Sequence, residues 1–173
     1  MSNDKQTETG ATFEAMNAAE MDGKFLTFWT DSQLYGVPIA DVVQIVGVQV
    51  ITEIPEFPSY AKGIINLRGS IIPLIDVRLR FGKQEIPYNE RTCIIVTNIK
   101  EKEIGFIVDE VDEVTDIDND DICPPPKIAG AENANSFLIG IAKQNGKVIL
   151  LVNTGKMLSE DVLDSITGAT EEL

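Results

Sequence analysis

Residues 63–78 read Gly63-Ile64-Ile65-Asn66-Leu67-Arg68-Gly69-Ser70-Ile71-Ile72-Pro73-Leu74-Ile75-Asp76-Val77-Arg78. Two apolar arms, Ile64 to Arg68 and Ile71 to Asp76, flank Gly69-Ser70, which is the pattern of a β-hairpin. Gly69 supplies the positive φ that a tight turn requires. Pro73 lacks an amide donor, so the second arm is expected at a sheet edge or a bulge. Arg68 stands at the tip of the arms, and a partly buried guanidinium needs an acceptor. Asp76, by hairpin proximity, and Gln44, from an earlier segment, are the candidates. The residues alone leave two roles open for Arg68: pinning the turn, or being offered to a partner.

Working outward, the same texture of short apolar runs and turn residues continues on both sides. Phe25 to Thr30 reads as a strand, Asp31-Ser32 as a turn and Leu34 to Val37 as a second strand. Pro38 stands where a helix would begin, and Ile39, Val42, Val43 and Val46 fall on one helical face. Val48 to Ile54 is expected to be extended, with Ser59 to Lys62 as one helical turn closed by Gly63. Downstream, Thr92 to Ile99 and Ile104 to Val111 form a hairpin around Lys100–Glu103, and Val114 to Ile117 adds a strand. Pro124-Pro125-Pro126 is an extended connector. Phe137 to Ala142 and Val148 to Val152 flank Asn145-Gly146, another hairpin signature. Leu158, Val162 and Ile166 then predict a C-terminal helix, capped by Asn153 or Thr154 and ended by Gly168. About ten short strands with evenly spaced turns argue for barrels or a sandwich and against a doubly wound fold.

Composition narrows the function. The chain has 173 residues, enough for one domain or two small subdomains sharing a core. Its 28 acidic and 14 basic residues give a net charge of −14, which repels phosphate backbones and anionic lipid. Neither nucleic acid nor direct membrane insertion is expected, since the apolar runs fall far short of the ~18 residues a span requires. Histidine is absent, which removes histidine bases, phosphoacceptors and zinc ligands. Cys93 and Cys123 form no C-x-x-C pair and are expected as free thiols of a reducing, cytoplasmic compartment. Residues 1–22 are polar and acidic and are expected as a disordered tail.

Catalytic motifs fail one by one. None of the Gly-Lys pairs is followed by Ser or Thr, so there is no P-loop, and neither G-x-G-x-x-G nor G-x-S-x-G occurs. Asp116, Asp118 and Asp120 have the spacing that opens a calcium loop, but Asp121 stands where Gly is needed and Lys127 where Glu is needed. The acidic stretch 109–121 therefore reads as a solvated face, and no cofactor is expected. A small-ligand barrel would need convergent polar groups in an otherwise Val, Ile and Leu interior. An enzyme working with two of the 109–121 carboxylates would need an environment that raises the pKa of one.

The run GIINLRGSIIPLIDVRLRFG resembles the CheW-type coupling proteins of prokaryotic chemotaxis. The segments LYGVPIADVVQIV, TCIIVTNIKEKEIGFIVDEVDEV, DICPPP and LIGIAKQNGKVILLVNTGKML extend the resemblance from about Phe25 to Leu158. The resemblance implies a mainly β fold: two five-stranded, SH3-like β-barrel subdomains packed through an apolar seam, with short helices and a C-terminal helix. It places one domain at 23–158, its halves at roughly 31–88 and 89–153, and a helix and tail at 154–173. It further implies a non-catalytic adaptor that bridges methyl-accepting chemoreceptor tips and the regulatory domain of the histidine kinase CheA. By resemblance Arg68 carries receptor coupling, while Val42, Gln44, Ile45, Cys93 and Ile94 align with a receptor groove. Gly63, Asn66, Leu67, Gly69, Pro73 and Asp76 form the structural motif around it. Many members carry Glu where this chain has Gln44, which can accept a hydrogen bond but cannot neutralise Arg68.

Overall fold

The computed structural model describes residues 11–12, 22–125 and 137–171. One sheet contains β1 (Ala11–Thr12), β4 (Val42–Gly47), β5 (Ala61–Leu67), β6 (Ser70–Asp76), β7 (Cys93–Ile99) and β8 (Lys102–Val108), ordered β1-β4-β7-β8-β6-β5. The other contains β2 (Lys24–Thr30), β3 (Gln33–Pro38), β9 (Glu110–Asp116), β10 (Ile122–Cys123), β11 (Leu138–Gln144) and β12 (Lys147–Val152), ordered β10-β11-β12-β3-β2-β9. Each sheet thus has five full strands plus a two-residue strand at one edge, and the expected pair of five-stranded barrels is present. The halves do not divide at 31–88 and 89–153. Residues 42–108 build most of the first barrel, and the second is assembled from strands on both sides of that insertion.

Both barrels share one construction: two antiparallel hairpins joined by one parallel pair, β6 with β8 and β12 with β3. At each parallel seam a leucine faces a glycine, Leu74 opposite Gly105 and Leu151 opposite Gly36. A Cβ on Gly105 would lie 2.6 Å from Leu74 Cδ2, and one on Gly36 2.9 Å from Leu151 Cδ2. The missing side chains make room for the leucines that fill the barrel interiors.

Strand periodicity distributes the apolar residues among three cores. Val46, Ile65, Leu74, Ile94, Val96 and Ile107 fill the first barrel. Phe25, Leu34, Ala142, Ile149 and Leu151 fill the second. The opposite faces of the same strands meet in a larger cluster, with Leu26, Phe28 and Val37 from one sheet and Ile75, Ile95 and Phe106 from the other. This is the apolar seam. Helix α1 (Val77–Arg80) closes β6, and helix α2 (Glu160–Glu171) lays Leu163 and Ile166 into the seam. Lys102 of β8 donates to Thr167 of α2 at 3.2 Å, which ties the helix to the first barrel.

Several local expectations are corrected. Ile39–Asp41 is one 3₁₀ turn, and the residues expected on a helical face continue as strand β4. A bulge between Val42 and Gln44 turns Val43 and Gln44 to the same side, and that irregularity imitates helical spacing. Ser59–Lys62 forms no helical turn, because β5 already begins at Ala61. The hairpin turn is Arg68-Gly69, not Gly69-Ser70. Pro73 lies in an interior strand. Its partner Ile64 exchanges backbone hydrogen bonds with Thr52 instead, and pairing with β8 starts only at Leu74, so the missing donor costs no ladder bond. Asn153 caps the 3₁₀ turn Thr154–Lys156, while the Ser159 hydroxyl accepts from Val162 N at the start of α2. Gly168 lies inside that helix and does not end it. Ala11–Thr12, expected within a disordered tail, pairs with β4; most of 1–22 and Pro126 lie outside the described residues.

A candidate partner-binding face

The hairpin β5–β6 presents Arg68 at its tip. Arg68 and Gly69 both have positive φ, 55° and 91°, as a two-residue type I′ turn requires. Asn66 is what makes this turn firm, since its Oδ1 accepts the Gly69 amide at 2.9 Å. Asn98 does the same for Glu101 in the turn between β7 and β8, again at 2.9 Å. Arg68 is exposed and has no hydrogen-bond or ion-pair partner among the described residues.

Neither proposed acceptor holds it. Asp76 lies at the far end of β6, only 2% exposed. It caps α1 by accepting from Leu79 N at 3.3 Å and accepts from the Tyr88 hydroxyl at 2.7 Å. Gln44 sits on β4 opposite Val96, on the barrel-interior side, with Oε1 buried and unpartnered among the described residues.

The other expected groove residues separate into two groups. Gln44, Ile45 and Cys93 are half-buried on the neighbouring strands β4 and β7. Val42 is 5% exposed and belongs to the seam, while Ile94 has no exposed surface and fills the first barrel. Val42 and Ile94 cannot touch a partner without opening a core, so their place is behind the face. On the other edge of β4, Ala11 pairs with Ile45 and Thr12 with Gln44.

Two devices fix the barrels to each other, and neither was expected. A ladder of rings crosses the seam: Phe28 on Tyr35 at 5.6 Å, Tyr35 on Phe81 at 5.1 Å, and Phe81 on Phe137 at 5.0 Å. The second is Arg78. Its Nε donates to Asp109 Oδ1 at 2.9 Å and its second terminal nitrogen lies 2.9 Å from Oδ2, a two-point clasp. Asp109 is the single residue between β8 and β9, where the chain steps from one sheet to the other. It donates its own amide to Trp29 O at 3.0 Å and accepts the Asp31 amide at 2.9 Å. The resemblance drew Arg78 into view, but nothing in the run of acids from Asp109 to Asp121 distinguished Asp109 from its neighbours.

The titratable groups here serve structure. Burial pushes the Cys93 thiol up, as does the nearby Glu110 carboxylate, so it stays a neutral thiol. Burial also raises the Tyr88 phenol far above its ordinary value, reinforced by Asp76, and raises Tyr35, reinforced by Asp31. Both phenols stay protonated in the fold and ionise near pH 10 once unfolded. The resulting stabilisation is whole below pH 10 and is lost as the pH climbs above it. Urea midpoints measured from pH 9 to 11.5 should therefore fall with rising slope, and Tyr88→Phe should flatten that slope while lowering the midpoint at pH 7. An unchanged slope in the variant would contradict the assignment. Among the described residues no three His, Cys, Asp or Glu side chains converge as metal ligands, and no helix is long and apolar enough to cross a membrane.

A family model described as the CheW-like domain matches residues 24–162. The chain is 33% identical to the chemotaxis protein CheW of Klebsiella aerogenes over 151 residues, covering 87% of this chain and 90% of the relative. It is 32% identical to the chemotaxis protein CheW of Helicobacter pylori, covering 80% and 82%. Among solved structures, the crystal structure of the scaffolding protein TtCheW from Thermoanaerobacter tengcongensis superposes with a TM-score of 0.73 at 38% identity, covering 81% of this chain and 94% of that one.

Proposed function

The chain belongs to the CheW-like domain family, and from that premise we propose that it couples the cytoplasmic tips of methyl-accepting chemoreceptors to the regulatory domain of a CheA-type histidine kinase. As a member of this family it is a chemotaxis scaffold. The further reading is that it has no catalytic step of its own and works in the cytoplasm at receptor arrays. The observation that carries it is the family match over 24–162, which takes in both barrels and the seam.

The face offered to the receptor is the Arg68 tip together with half-buried Ile45 and Cys93, with Gln44 turned to the barrel interior behind them. An exposed guanidinium on a turn held by Asn66 suits recognition of a carboxylate, because little loop freedom remains to be lost. Buried Val42 and Ile94 act from behind by fixing the two strands. The clasped, ring-laddered seam suits an adaptor that transmits a shift between partners without deforming.

Arg68→Glu is expected to leave the melting curve unchanged and to reduce receptor-stimulated kinase activity roughly tenfold or more in a reconstituted array. Binding of the isolated kinase regulatory domain should persist. Normal stimulation by folded Arg68→Glu would take Arg68 out of the site. Failure of the wild-type chain to bind both a receptor tip and the kinase domain would remove the coupling role itself.

A further inference from the structure

At one end of the seam a cleft of about 620 Å³ opens between α1, the β7–β8 turn and the start of α2. Arg80, Lys100 and Lys156 line it, with Glu160 as the one acid among the lining residues. This is an unusual concentration for a chain with 28 acids against 14 bases. A concave surface lined mainly by one sign of charge focuses potential, and here three cations face one acid against the chain's overall negative charge.

The cations are not consumed by the fold. Arg80 is half-buried, and its Nε donates to the Met157 carbonyl. Its guanidinium lies over Tyr60 at 5.8 Å and Phe137 at 5.4 Å. These contacts hold the planar fork in place, yet no carboxylate pairs with it among the described residues. Lys156 is exposed and likewise pairs with none. Lys100 meets Glu160, but the side chains are 61% and 80% exposed, so this pair is screened and readily exchanged. The start of the twelve-residue helix α2 adds the positive end of its dipole to the same cleft.

We propose that this cleft is an oxyanion-binding site that takes a carboxylate or a phosphate group between Arg80, Lys100 and Lys156. A fixed guanidinium fork and two mobile ammonium groups match either anion, with Arg80 setting orientation and the lysines supplying charge. Arg68 is not among the residues lining the site, which does not depend on the adaptor reading.

The test uses the full chain in amide-resolved NMR titrations with two probes, inorganic phosphate and hexaglutamate, each beside sodium chloride at equal ionic strength. Saturable shifts at Gly155–Glu160 beyond the chloride control are expected from at least one probe. Lys100→Gln/Lys156→Gln should weaken them at least about fivefold, with the fold checked by the rest of the spectrum. A response to phosphate alone assigns the site to a free oxyanion; a tighter response to hexaglutamate assigns it to acidic side chains of a protein segment. No response beyond chloride, or equal affinity in the double variant, overturns the proposal.

Discussion

Gly63→Ala is expected to cost about 3–5 kcal/mol of stability, a sum of backbone strain and overlap. Gly63 has φ near +139°, a region that L side chains rarely adopt. A Cβ there would stand 2.1 Å from Thr52 O and 2.8 Å from Thr52 C. That backbone cannot easily yield, because Thr52 and Ile64 exchange two hydrogen bonds of 2.9 Å. The melting temperature should fall by roughly 6–20 °C, at 2–4 °C per kcal/mol for a chain of this size. Gly69→Ala is the control. Its φ is +91°, but a Cβ there would meet nothing within 4 Å, so about 1 kcal/mol is expected. Similar melting of the two variants would show that the contact with Thr52 does not govern the cost.

Arg78→Ala is expected to cost about 3 kcal/mol, because it strands the Asp109 carboxylate where the chain passes between sheets. The two side chains are 15% and 24% exposed, so water screens them only in part. Arg78 also lies 3.5 Å from Asp31 and donates to the Gln84 carbonyl at 3.1 Å. The loss should appear in urea denaturation with little change in slope. A double-mutant cycle with Asp109→Ala should return a coupling above about 1 kcal/mol. A coupling near zero would mean that the clasp contributes only packing.

The sequence made the hairpins legible wherever a turn carried glycine. The turn at Gly69 was found one residue out of place and Asn145-Gly146 in place because glycine accepts a positive φ without strain, and Asp31-Ser32 was read as a turn from its polar residues. The Val42–Gly47 strand was misread because one bulge gave valines a helical spacing. The proposed receptor face was only partly legible, and for a related reason. Strand β7 is buried on both sides, its Ile94 in a barrel and its Ile95 in the seam. Such a strand shows no alternation between apolar and polar residues, so its sequence cannot say which side chains face outward. Arg68 was legible because a charge at a hairpin tip needs no such distinction. The Arg78–Asp109 clasp joins residues through tertiary pairing, for which local pattern carries no signal.

The interleaved order of the strands also sets the order in which the molecule can be completed during synthesis. β2 and β3 leave the ribosome early, yet Leu34 must wait for Ile149, more than a hundred residues later, before its parallel partner exists. The strands from β4 to β8 are contiguous in the chain and need nothing that follows them to make their own ladders. The first barrel can therefore close on the nascent chain and bring its ends together, which shortens the loop that the second barrel must still close. Through that interval the apolar hairpin bearing Phe25, Leu26 and Phe28 has only one neighbour per strand, and its exposure ends with the arrival of residues 110–152.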